Sequence, residues 1–97
     1  VADDLFTRLD AWYAEQCDGE WEHEFGIKIQ TLDNPGWLIQ VDLSGTGSEG
    51  ATLPANLDED ESGTWVHSSA DGTELRVACS PRAMEKAMRV VLEFLSA

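Results

Sequence analysis

Cations are what this sequence has least of. Six lysines and arginines face 19 acidic residues, for a net charge of −13 and a pI near 4.1. A surface of that sign repels phosphate backbones, which argues against direct nucleic-acid binding, and it disfavours anionic membranes equally. Cysteine is scarce too. Two residues allow at most one disulfide, too few for a disulfide-framed secreted mini-domain. No apolar run approaches the ~18 residues of a membrane span, and no signal-peptide pattern opens the chain. Val1 in place of a methionine points to a trimmed start. With 97 residues, 42% of them hydrophobic, the chain suits one compact domain, 1–97, and is too short for two. A cytoplasmic domain built on one core is expected.

The charge is lopsided along the chain. Residues 1–62 hold fifteen acids against Arg8 and Lys28, whereas residues 63–97 balance Asp71, Glu74, Glu85 and Glu93 with Arg76, Arg82, Lys86 and Arg89. The whole net charge therefore precedes residue 63. Halophilic adaptation would spread acids evenly, and a dedicated surface for a basic partner would concentrate them. The partner is the better reading.

Residues 3–16 predict an amphipathic helix, with Leu5, Phe6, Leu9, Trp12, Tyr13 and Gln16 on one stripe. Asp3 and Asp4 suit the positive end of its dipole, and Asp18-Gly19 ends it. A very polar stretch follows, residues 20–24. Ile27, Ile29 and Thr31 alternate with Lys28, Gln30 and Leu32, and Trp37, Ile39, Val41 and Leu43 with Leu38, Gln40 and Asp42, which predicts two strands. A tight turn on Pro35-Gly36 would set Gln30 opposite Val41 and mix the two faces. The register must therefore slip, through a bulge or an asymmetric loop beside Pro35.

Residues 44–63 read as loop, with Ala51-Thr52-Leu53 the only plausible short strand. Two strands, 64–70 and 73–79, flank Asp71-Gly72, a strong hairpin signal. That turn pairs Ser68 with Leu75 and Val66 with Val77, and puts Trp65, His67, Glu74 and Arg76 on the opposite face. Ser80-Pro81 predicts a helix start, with Met84, Ala87, Met88, Val91, Leu92 and Leu95 as its buried stripe. The order predicts an α+β fold: an antiparallel sheet of four to five strands, with an N-terminal and a C-terminal helix packed on one face.

Three constellations invite chemistry. Cys17, Asp18, Glu20, Glu22, His23 and Glu24 crowd together, but zinc needs paired Cys/His ligands and a second cluster, which only His67 and Cys79 could supply. Asp58-Glu59-Asp60-Glu61-Ser62-Gly63 opens like a calcium loop, but position twelve is Ser69 and a strand follows. Cys17 with His23 is the only local nucleophile–base pair, and acidic neighbours leave little thiolate. No metal, cofactor or catalytic residue is expected. Of the four tryptophans, Trp12 and Trp37 fall on predicted core faces. Trp21, set among carboxylates, is either an interface anchor or a plug at one end of the core.

The run Cys17-Asp18-Gly19-Glu20-Trp21-Glu22-His23-Glu24-Phe25-Gly26-Ile27, with Thr31-Leu32-Asp33-Asn34-Pro35-Gly36-Trp37 and Asp42-Leu43-Ser44-Gly45-Thr46, resembles the Immunity protein 53 family of bacterial polymorphic toxin systems. The helix carrying Trp12-Tyr13, the strand of Trp65 and the closing helix are similar to it as well. Residues 47–63 fit the pattern poorly. The resemblance implies a protein that is not an enzyme and that neutralises a cognate toxin by binding it. From charge we expect the contacts at Asp18, Glu20, Trp21, Glu22 and Glu24, joined by Asp58, Glu59, Asp60 and Glu61. A basic, nuclease-type toxin fits by analogy. The rival readings are a small thiol enzyme of sulfurtransferase type and an acidic structural domain without a specific partner.

Overall fold

A computed structural model describes residues 2–96, with side chains from residue 4 onward, so Val1 and the Asp3 carboxylate lie outside the described parts. The chain runs α1 (Ala2–Gln16), α2 (Trp21–Glu24), β1 (Ile27–Leu32), β2 (Gly36–Asp42), β3 (Thr52–Glu59), β4 (Trp65–Asp71), β5 (Glu74–Cys79) and α3 (Met84–Leu95). The five strands form one antiparallel sheet in the order β1-β2-β5-β4-β3. The architecture is the predicted α+β fold.

Alternation decides the faces. Ile39, Val41, Val66, Ala70, Leu75, Val77 and Cys79 point inward, where Leu5 and Leu9 of α1 meet Ala87, Met88, Val91, Leu92 and Leu95 of α3. Both helices thus cover the same side. The stripe of α3 matches its periodicity, but α1 divides. Leu5 and Leu9 are buried and Trp12 packs on the core, whereas Phe6 is 61% exposed. Leu5, Leu9 and Trp12 follow one line of the helix, while Phe6, Asp10 and Tyr13 follow a neighbouring line that faces a groove.

The β1–β2 connection is asymmetric, as the alternation requires. Asp33, Asn34 and Pro35 form a three-residue loop, and Leu32 pairs with Gly36, so Ile27, Ile29 and Thr31 stand opposite Val41, Ile39 and Trp37. Gly36 is a strand residue rather than a turn residue. A Cβ there would strike the Cys79 carbonyl of β5, a close approach that only glycine permits.

Four expectations need correction. The β4–β5 register lies two residues from the predicted one: Val66 pairs with Cys79, Ser68 with Val77 and Ala70 with Leu75. The faces survive, because a shift of two preserves them. The connection is Gly72-Thr73, since the Asp71 carboxylate accepts the amides of Thr73 and Glu74, both at 2.9 Å. Residues 52–59 form a full strand at the sheet edge, not a three-residue piece in a loop, with a register shift between Leu53 and Asn56 beside Pro54. Finally, α3 starts at Met84, not at Ser80-Pro81. Ser80 instead extends the ladder: its hydroxyl accepts the Trp65 amide at 3.0 Å and its own amide donates to the Trp65 carbonyl. Arg82 then takes a left-handed φ of 73°, which separates strand from helix.

Candidate functional site

The acidic segment between α1 and β1 is a built structure. Asp18 Oδ1 accepts the amides of Glu20 and Trp21 at 3.0 Å each, and Glu22 Oε1 accepts those of Asp18 and Gly19 at 3.1 and 3.2 Å. Asp18 therefore takes the first amide of α2, and Glu22 reaches back from α2 to hold the amides of the turn before it. Bonds from the amides of Trp21 and Glu20 hold the Asp18 carboxyl below its ordinary value. Gly19, at φ +95°, makes the reversal out of α1.

Trp21 fills the space beneath. Its residue is only 6% exposed. The indole Nε1 donates to the Ser44 carbonyl at 2.8 Å, and the ring meets Trp12 and Tyr13 edge-on at 6.1 and 6.0 Å and Phe25 at 6.2 Å. Of the two roles open to it, the plug describes its position. The ring ties the segment to α1 and to the loop after β2, and leaves Asp18, Glu20, His23 and Glu24 on the surface.

The second acidic group lies elsewhere. Residues 18–24 lead into the start of β1, at one edge of the sheet, and Asp58, Glu59, Asp60 and Glu61 close β3 at the other edge and the opposite end. Strand spacing and rise put these corners roughly 25–30 Å apart, so the two groups do not form one patch. Asp58 turns to α3, where its carboxylate meets Lys86 Nζ at 3.1 Å. Asp60 organises the β3–β4 turn: its Oδ1 accepts the Ser62 hydroxyl at 2.6 Å and the amides of Ser62 and Thr64. Those bonds, the hydroxyl's foremost, lower its pKa. Glu59 and Glu61 are exposed.

Two further surfaces were not singled out by charge. The sheet face away from the helices carries Trp65, His67 and Arg76 as expected, with a hollow of about 270 Å³ lined by Leu32, Leu38, His67, Ser69, Arg76 and Ala78. Leu57 beside it is 58% exposed. The other surface is a groove of about 360 Å³ between α1 and β1, lined by Phe6, Leu9, Asp10, Tyr13, Gly26, Ile27 and Ile29. The seven-residue spacing of Phe6 and Tyr13, offset from the Leu5-Leu9-Trp12 line, is the sequence signal that points to it.

The two thiols sit in different surroundings. Cys17 Sγ contacts the Tyr13 carbonyl at 3.3 Å, and burial raises the pKa of Cys79, whose thiol sits within the core. Among the described residues, no three His, Cys, Asp or Glu side chains are placed to hold a metal ion, and no helix is long and apolar enough to cross a membrane.

The class that the sequence of this acidic α+β chain matches is that of the immunity proteins. The chain belongs to the Immunity protein 53 family, whose model matches residues 6–96, nearly its full length. No curated protein and no solved structure gives a significant match.

Proposed function

We propose that this protein works in the bacterial cytoplasm, where it binds a cognate toxin directly and neutralises it without chemistry, by covering a basic surface of nuclease type. The family match over residues 6–96 is the observation that carries the immunity role. The basic partner rests on the charge of −13, all of it before residue 63, since clustered charge steers an oppositely charged protein and selects it. Nucleic acid and anionic membrane are disfavoured as partners by the same field.

In this reading Asp18, Glu20, Glu22 and Glu24 make the principal contact, with Trp21 holding them in place from below. Asp58, Glu59, Asp60 and Glu61, at the far corner, add to the attraction at a distance. The test is charge reversal at Glu20 and Glu24, because reversing Glu22 would also release the Asp18 and Gly19 amides that its carboxylate holds. Association with the inactivated product of the neighbouring toxin gene should slow at low salt, and the difference should shrink at high salt. A second reading places the toxin on the uncovered sheet face, supported by exposed Leu57 and by Leu38, which faces away from the helices. Unchanged rates in the charge variants, with binding lost in Trp65→Ala, would move the site there.

A further inference from the structure

The two edges of the sheet are built differently. The β3 edge carries Pro54, a register shift, Asp58 and Glu59, all features that discourage a further strand. The β1 edge, Ile27–Leu32, has no proline and no irregular register, and its single charge is Lys28. Among the described residues, no strand pairs with its outer side.

The free groups of that edge can be assigned. The Asp42 amide donates to the Gly26 carbonyl at 3.0 Å, which makes Gly26 and Asp42 a directly bonded pair. Bonded and unbonded pairs alternate in an antiparallel ladder. The N–H and C=O of Ile27, Ile29 and Thr31 therefore point away from β2, to the open side. Alongside runs the groove between α1 and β1, where Phe6 and Ile29 are 61% and 39% exposed. Asp10 is the carboxylate in its lining, and the acidic segment 18–24 joins β1 at the groove's Gly26–Ile27 end.

We infer that the β1 edge is where the toxin docks, by adding an extended segment to the sheet. This rests on the immunity reading above and specifies its contact. Backbone bonds to Ile27, Ile29 and Thr31 hold the segment, and its alternate apolar side chains enter the groove over Phe6 and Ile29. The end that meets Asp10 and residues 18–24 is cationic. Charge selects this occupant over a second copy of the chain, since two molecules each at −13 repel.

The experiment pairs the inactivated product of the neighbouring toxin gene with wild type and with Phe6→Ser and Ile29→Lys, two substitutions at exposed side chains. Each variant should raise Kd by at least about tenfold, mainly through faster dissociation. Hydrogen exchange on the wild-type complex supplies a readout that needs no variant. The amides of Ile27, Ile29 and Thr31 should slow by at least about tenfold on binding, and those of Lys28 and Gln30, already bonded to β2, should change little. A complex that forms with these three amides unprotected overturns the inference and leaves the immunity reading standing. Protection confined to β4 and β5 does the same. Failure of wild type to bind overturns both. A concentration-dependent dimer of the free chain that protects the same amides makes a second copy the occupant and overturns the choice of the toxin.

Discussion

Trp21 offers the sharpest quantitative test, because stability and binding respond to it differently. A tryptophan can bury up to ~250 Å², and at 6% exposure almost all of that area is removed from water. At ~25 cal/mol per Å² the upper bound is about 6 kcal/mol. Truncating a buried aromatic ring costs about 3–5 kcal/mol, against a total of about 5–15 kcal/mol for a domain of this size. Trp21→Ala should therefore lower Tm by about 12–40 °C, at about 4–8 °C per kcal/mol. Trp21→Phe keeps much of the contact with Trp12 and Tyr13 but loses the indole bond to the Ser44 carbonyl. That bond is worth about 1 kcal/mol, so a fall of about 4–8 °C is expected. Calorimetry or circular dichroism on heating measures both. A Trp21→Ala protein melting within about 3 °C of wild type would refute the burial argument. Fast dissociation from the toxin in a fully stable Trp21→Phe protein would restore the anchor role.

The remaining expectations are simpler to test. Cys17→Ser and Cys79→Ala should both leave protection against the toxin intact, and a folded Cys17→Ser protein that binds but no longer protects would revive thiol chemistry. Gly36→Ala should cost about 1–3 kcal/mol in urea unfolding, because the new Cβ meets the Cys79 carbonyl. Hydrogen bonds from the Thr73 amide, the Thr73 hydroxyl and the Glu74 amide lower the pKa of Asp71 from its ordinary 3.8. A depressed folded pKa stabilises above the unfolded value and is lost as pH falls through the folded one. The urea midpoint should therefore drop below about pH 4, and Asp71→Asn, which keeps the acceptor and removes the charge, should flatten that drop.

Local pattern determined much of this protein by itself. The apolar stripe of α3, the alternation of β1, β2, β4 and β5, and the need for an asymmetric loop at Pro35 all follow from periods of 3.6 and 2. A face assignment needs only parity, so it survived a β4–β5 register two residues from the one the Asp-Gly signal suggested. The segment around Trp21 was legible as a distinctive run, though not its geometry. Tertiary structure decided the rest. Residues 52–59 look like loop because Pro54 interrupts them and the acidic run from Asp58 closes them, and they become a strand because β4 supplies a ladder to pair with. Ser80 suits a helix cap, yet Trp65 across the sheet claims its amide and hydroxyl. Trp21 could face either way until Trp12 and Tyr13 of α1 and the Ser44 carbonyl converged on it from two other parts of the chain. The order β1-β2-β5-β4-β3 set the two acidic groups at opposite corners and, among the described residues, left β1 unpaired on one side. Periodicity reports which side of an element is apolar. Which neighbour it meets, and which edge stays open, depends on contacts between residues far apart in sequence, and no local window contains them.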